Sequence, residues 1–221
     1  MRKIMFNDRN DLTLKVLSGQ KTQTRREAYD KPMQYEPRVG YEDGHLILLD
    51  GWCRVAKSLY REGEEVAVAQ RYADIPMEHF MDGIDDPTKR YFQEQLVRQS
   101  AAYTNKMYAV ASLMPHRIRI KSIKAERLQN ISTEGCLKEG LDEDCGEGIH
   151  PYWWHIDPNR HEDWRKISDE LARHGFDRHG KPCTYFWETA QSAYKALIDR
   201  LDKTMWERNP WVFVYDFELI K

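Results

Sequence analysis

The chain has 221 residues, 41% apolar and 12% aromatic, enough to bury a sizeable core, and its 34 basic and 36 acidic side chains nearly cancel. That balance excludes a disordered polyelectrolyte and a histone-like polycation. No window approaches the ~20 apolar residues of a membrane span and the N-terminal Met1-Arg2-Lys3-Ile4-Met5-Phe6-Asn7-Asp8 has no signal-peptide core, so a cytoplasmic protein is expected. Cys53, Cys136, Cys145 and Cys183 are scattered with no C-x-x-C pair, which points to reduced thiols. Charge is unevenly spread: residues 1–40 hold nine Lys/Arg against five Asp/Glu, 105–128 hold six against one, and 129–150 hold one against six.

In chain order, the spacing of Leu12 with Val16 and of Leu14 with Leu17 predicts a helix, capped by Asn10 and closed by Gly19. Lys21-Thr22-Gln23-Thr24-Arg25-Arg26 follows at once and reads as a loop presenting three cations and two hydroxyls. Guanidinium groups hold phosphate or carboxylate in a bidentate fork, and a lysine crowded by Arg25 and Arg26 loses its proton more easily than a free one. A solvated cationic turn has the same composition. His45–Leu49 and Glu64–Gln70, the latter entered through Gly63, read as strands inside a sheet. Residues 71–104 turn polar and aromatic, with Pro76, Gly83 and Pro87 as breakers before a helix over Lys89–Gln99, and read as an insertion.

Arg117-Ile118-Arg119-Ile120-Lys121 alternates, sending Ile118 and Ile120 to the core and a basic stripe of Arg117, Arg119 and Lys121 to the other face. Ser132 caps a helix through Cys136 and Leu137 that stops at Gly140. Glu139 lies in its last turn, against the negative end of the helix dipole, where the protonated form is favoured and a general acid is served; it is also an ordinary exposed position. Residues 142–183, with Tyr152, Trp153, Trp154 and Trp164 among five histidines, read as a second insertion. Its tryptophans fill a core or stack on a base. Tyr185–Leu201 has apolar residues at three and four, a helix, and Trp211–Leu219 alternates with Phe213, Tyr215, Phe217 and Leu219 on the core side.

Zinc is the first chemistry to weigh, since Cys136, Cys145, His150, His155 and His161 fall within 26 positions, but their spacing is wrong for a structural site and no metal is expected. The chain holds no G-x-x-x-x-G-K-[ST], G-x-G-x-x-G or G-x-S-x-G, so P-loop hydrolysis, dinucleotide redox chemistry and the hydrolase elbow lack support, and no cofactor is expected. What survives is a lysine base, a threonine hydroxyl and a distant acid: Lys21, Thr24 and Glu139.

Gly19-Gln20-Lys21-Thr22-Gln23-Thr24-Arg25-Arg26 is similar to the G-x-K-T-x-T-x-R signature of the ASCH domain family, which belongs to the PUA-like superfamily. The resemblance extends to Gly63-Glu64-Glu65-Val66, to Ile118–Leu128, to Ile131-Ser132 through Glu139-Gly140, and to the C-terminal aromatic strand, about half the chain. The two ends look like longer ASCH proteins of phages and prophages. The resemblance implies an α+β fold: a PUA-like, mostly antiparallel β-barrel with flanking helices, one domain over 1–221 carrying the two insertions. It also implies a cleft for RNA or a nucleoside-like ligand.

One branch of the family deacetylates N4-acetylcytidine with a lysine base, a threonine nucleophile and a glutamate proton donor, roles that would fall on Lys21, Thr24 and Glu139. Other members are connected with RNA binding or cleavage. The chain is much longer than the small amidohydrolases, and Arg25 stands where they have an apolar residue, which favours a phosphate-bearing ligand. Thr22, Arg25, Arg26, Arg117 and Arg119 are then the candidate ligand contacts. RNA, a nucleoside or a nucleotide is the expected partner, and no membrane.

Overall fold

A computed structural model describes residues 1–35, 37–143, 152–153, 187 and 189–220. Its main sheet runs in the order β1 (Arg2–Ile4), β6 (Glu65–Val68), β7 (Arg117–Arg127), β10 (Trp211–Ile220) and β2 (Gln23–Tyr29). β1 pairs with β6 in parallel and the other three pairings are antiparallel. A second antiparallel sheet joins β3 (Pro37–Glu42), β4 (His45–Asp50) and β5 (Cys53–Lys57). A short pair links β8 (Asp142–Glu143) to β9 (Tyr152–Trp153). The sequence pattern did not reveal β3 and β5. Its missed signal is Asp43-Gly44, whose positive φ values of 52° and 76° are what a tight two-residue hairpin turn demands.

The two larger sheets enclose one core. Ile4, Val66, Val68, Ile118, Ile120, Phe213, Tyr215 and Phe217 of the main sheet meet Leu46 and Leu48 of β4, and Leu12 and Val16 of α1 (Leu12–Leu17) close one end. On the opposite face of β10, Val212 and Val214 pack under Cys136 of α3 (Thr133–Lys138) and under Ala193, Tyr194 and Leu197 of α4 (Ala190–Leu201). α5 (Met205–Arg208) leads from α4 into β10. β10 therefore buries four successive residues, Val212 to Tyr215, rather than the alternate ones its pattern predicts, because helices cover its second face. Residues 72–113 are short helices around α2 (Pro87–Gln99), with their own cluster of Tyr72, Phe80, Val97 and Met114 against Ala67.

The fold is α+β and mostly antiparallel, but the sheets do not close into a barrel. Closure needs every strand to have two ladder partners. β1 is three residues long and β1 and β2 are the outer strands of the main sheet, while β3, β4 and β5 pair only with each other. A side chain spans the gap instead: Arg26 Nη2 donates to the Met5 carbonyl at 2.6 Å.

Two local expectations also change. The predicted cationic loop is a strand from Gln23 onward, and the residue before α1 is Asp11, in the left-handed region at φ 52°, while Asn10 is buried. By contrast, Ser132 caps α3 as its sequence demands, accepting from the Gly135 N–H at 3.1 Å, and Gly140 ends it at φ +99°. The predicted second insertion lies almost wholly outside the described residues, with Trp154, Trp164 and its histidines. Among the described residues no helix is long and apolar enough to cross a membrane. Replacing Ser132 by Ala removes the α3 cap and is expected to cost about 1 kcal/mol, read as a lower urea midpoint with unchanged slope.

Candidate functional site

The segment leading into β2 is stitched to three elements before its side chains do anything. Gly19, at φ +79°, turns the chain out of α1, and the Lys21 N–H then donates to the Lys15 carbonyl at 2.9 Å. The Thr22 N–H donates to Lys138 at the end of α3 (3.0 Å), and the Thr22 carbonyl accepts from Phe217 of β10 (2.9 Å). Gly140 permits this closeness, because a Cβ there would lie 3.2 Å from Lys15 Cδ and 3.5 Å from Lys21 Cβ.

Lys21 is 1% exposed and Glu139 5%, so the acid is not a surface residue. The Lys21 ammonium donates to the Gln23 carbonyl (2.7 Å), the Glu139 carbonyl (2.7 Å) and Glu139 Oε2 (2.5 Å), which uses all three of its N–H groups. Glu139 Oε1 accepts from Arg25 Nη1 at 3.0 Å. Arg25 in turn donates to Glu126 Oε1 through Nε (3.1 Å) and Nη2 (2.8 Å) and to Gln23 Oε1 (2.6 Å), and its guanidinium lies 6.0 Å from the Tyr194 ring centroid. Gln23 continues the chain to Asp216 at 2.7 Å, and Ser122 caps Asp216 at 2.9 Å. Two cations and two carboxylates are thus held together with their hydrogen bonds met, the condition under which buried charge is tolerated.

Burial lowers the Lys21 pKa below its ordinary value; Glu139 opposes this, and Arg26 and Arg25 add to it. The direction is the one the sequence suggests, but the leading cause is loss of water rather than the neighbouring arginines.

Thr24 is buried too, yet it faces the other way. Side chains alternate along a strand. Gln23 and Arg25 point toward Glu139 and Tyr194, whereas Thr24 lies opposite Tyr215 on the side of the inter-sheet core. Arg26 shares the Thr24 face, with its guanidinium 5.9 Å from the Phe6 ring centroid. Lys21, just outside the strand, is not bound by the alternation: its ammonium is also 5.9 Å from Phe6.

The remaining candidates divide. Arg25 is an internal strut whose guanidinium is spent on Glu126, Glu139 and Gln23, which leaves it no fork for a ligand. Arg119 pairs with Glu65 (3.0 Å) and Glu218 (3.6 Å), and Lys121 faces Glu218 at 3.8 Å, so the basic stripe is largely neutralised. Arg119 also sits opposite Glu218, four residues along β10 from the Val214 that faces Arg25, a separation of roughly 14 Å. Arg117 lies beyond it, opposite Ile220. Thr22 contributes its backbone. Burial pushes the Cys136 thiol up to about 12, and among the described residues no group of three or more His, Cys, Asp or Glu is arranged to hold a metal ion.

Glu126, Gln23 and Asp216 were not singled out by the sequence pattern, although Glu126 is the one acid among six basic residues in 105–128. A cleft of about 380 Å³ lies on the Thr24 face, lined by Met5, Arg26, Ala56, Tyr60, Phe213 and Tyr215 among others, but by none of Lys21, Thr24 and Glu139. The Tyr60 hydroxyl donates to the Lys3 carbonyl at 3.0 Å, and the Tyr215 hydroxyl accepts from the Leu59 N–H at 2.8 Å. Burial pushes the Tyr60 phenol up to about 12 and raises that of Tyr215 as well, so both stay neutral donors and acceptors.

No family model matches the chain, and no curated protein and no solved structure matches it significantly. The ASCH resemblance rests on the motif segments and on nothing beyond them.

Glu139→Gln leaves Lys21 and Arg25 facing each other without their shared counter-charge and is expected to cost about 3–5 kcal/mol in urea unfolding. Lys21→Met is expected to cost less, because Arg25 still neutralises Glu139. The pH dependence follows from the lowered Lys21 value: between it and the ordinary 10.5 the unfolded chain binds a proton that the folded chain does not. Stability therefore rises with pH across that window. Wild type is expected to gain on Lys21→Met as pH is raised toward 10.5, in urea melts of the two proteins side by side.

Proposed function

We propose that this is a PUA-like ASCH protein, one domain over 1–221 with insertions at about 71–104 and 142–183, acting in the cytoplasm on a nucleoside, nucleotide or RNA. Within that reading it hydrolyses an N4-acylated cytidine-type base through Lys21, Thr24 and Glu139. One observation carries the reading: an amine and a carboxyl chosen from motifs 118 positions apart meet at 2.5 Å in the interior, on an amine whose proton burial has loosened.

The chemistry follows from that contact. A proton passing from Lys21 Nζ to Glu139 leaves a neutral amine and a neutral acid with no change in net charge, so the pair holds the base and the acid in one step. Lys21 then takes the Thr24 hydroxyl proton, and Thr24 Oγ1 attacks the acyl carbon. The carbon–nitrogen bond breaks as Glu139 protonates the leaving amine, and water cleaves the acyl-threonine to release the carboxylic acid. Since Gln23 and Glu139 occupy every N–H of Lys21, substrate must displace one of these bonds to bring the amine to Thr24.

That full occupancy, together with the opposite facing of Thr24 and Arg25, favours a second reading: an RNA-binding module whose buried cluster only holds the fold. An RNA-cleaving protein is a variant of it, separated by whether labelled RNA is cut. The deciding measurement is release of cytidine and acetate from N4-acetylcytidine by wild type, Lys21→Ala and Thr24→Ala, each checked for folding by circular dichroism. The hydrolase reading expects turnover by wild type and a loss of about 10²–10⁴ in kcat/KM for Lys21→Ala. Full activity in Lys21→Ala removes the lysine from the mechanism. No turnover by wild type, with RNA affinity that falls steeply with salt, selects the binding module.

A further inference from the structure

The second sheet ends in a strand edge that pairs with no described residue. Of the outer strands of the two larger sheets, β1 is three residues long and carries Arg2 and Lys3, β2 carries Arg25, Arg26 and Glu27, and β5 carries Arg54 and Lys57. Short length and charged side chains are how edge strands avoid joining other chains. On β3 the open side belongs to two apolar residues. The residues that flank a two-residue turn exchange both backbone bonds, so Glu42 bonds to His45, and the period of two turns Gly40 and Arg38 toward β4 in the same way. The N–H and C=O groups of Val39 and Tyr41 therefore point away from the sheet. Their side chains are 50% and 64% exposed, although the residues opposite them, Leu48 and Leu46, are buried.

The occupant that fits this edge is the edge itself. Laid antiparallel about a two-fold axis at Gly40, Val39 of each strand faces Tyr41 of the other, Arg38 faces Glu42, and Gly40 faces its own copy. The two Val39–Tyr41 pairs then use every outward N–H and C=O of those residues, and a β-branched side chain lies against an aromatic one, a favourable cross-strand pair. Arg38 and Glu42 fall at the alternate positions, where facing Cα atoms are about 4.5 Å apart and side chains meet most closely. Both have capacity to spare. Arg38 is exposed and, among the described residues, meets only the Trp52 ring, whose centroid is 5.7 Å from its guanidinium. Glu42 holds Arg54 and Lys57 through Oε2 alone, which leaves Oε1 for another donor. Sliding the copies until either residue faces itself would set like charges together, so the charges select one register.

We propose that this protein associates with a second copy of itself by antiparallel pairing of β3 with β3, which joins the two three-stranded sheets into one of six strands. Arg38 and Glu42 fix the register from the two ends of the pair. The inference stands apart from the proposed hydrolysis, since none of Lys21, Thr24 and Glu139 lies in this sheet. A six-residue edge makes a small interface, so the association is reversible and depends on concentration.

Sedimentation equilibrium of the full chain over a range of concentrations tests this, with wild type, Arg38→Glu, Glu42→Arg, an equimolar mixture of those two variants, and Tyr41→Pro. Wild type is expected to move from the mass of one chain toward that of two as concentration rises. Arg38→Glu and Glu42→Arg each set like charges together at both ends of the pair and are expected to raise the dissociation constant about tenfold. In the mixture, opposite charges face each other again, and association is expected to return, which also shows that both variants are folded. Tyr41→Pro removes an N–H on the open side and leaves the bonds to β4 in place, so a similar loss is expected with an unchanged circular dichroism spectrum. A single-chain mass at every concentration overturns the proposal and leaves the edge to a strand of another protein. A dimer indifferent to the charge variants overturns it too, as does a mixture of folded variants that stays monomeric.

Discussion

Glu139 is gripped on both oxygens, by Lys21 on one and Arg25 on the other, and the arrangement of α3 against β2 depends on that grip. A carboxylate taken out of water without partners costs several kcal/mol, and so does each of the two cations. Together with Glu126 they form a balanced cluster whose members have no cheaper place to go once Leu12, Cys136 and Val214 have packed around them. The cluster draws the end of one short helix, the entrance to an edge strand and the C-terminal end of β7 to one point. It also explains the glycines around it: a Cβ on Gly135 would lie 3.0 Å from Arg25 Nη2, and one on Gly140 would press on Lys15 and Lys21.

β10 divides this molecule into two chemistries. One face of the sheet carries the polar chain from Ser122 through Asp216, Gln23 and Arg25 to Glu139, shielded by α3 and α4. The other carries Thr24, Arg26, Tyr215 and the cleft. Strand alternation forces neighbours in sequence onto opposite sides, so only a residue outside the strand is free to touch the carboxylate cluster on one face and the core on the other. Lys21 is such a residue. Its ammonium touches Glu139 and stands 5.9 Å from the Phe6 ring on the Thr24 side.

The open sheet and the cleft have a common origin. Because β1 and β2 remain edges, backbone hydrogen bonds leave a gap between them that Arg26 crosses with one N–H. Where a closed barrel would fill that space with ladder and core, this fold leaves a hollow with aromatic walls and the Arg26 guanidinium beside it. Arg25 and Arg26, adjacent in sequence and identical in type, are sorted by the same alternation into an internal brace and a residue facing the cleft.

Local rules account for much of what was legible. Ser132 and Gly140 set the ends of α3 by capping and by a left-handed turn; Ile118 and Ile120 reach the core by period two; Ala190, Ala193, Tyr194 and Leu197 face inward by helical spacing. Each needs only nearest neighbours along the chain. The motif also singled out Lys21, Thr24 and Glu139 as residue types with chemistry to offer. Sequence was silent on which charges cancel, because Glu126, Asp216 and Glu218 are paired by strand register and not by spacing. It also had no means to distinguish a cationic loop from a buried strand entrance, or to show that the barrel stays open. Burial is set by whatever packs on top, and whether a lysine keeps its proton or an arginine keeps a hand free depends on partners that only the folded chain brings within reach.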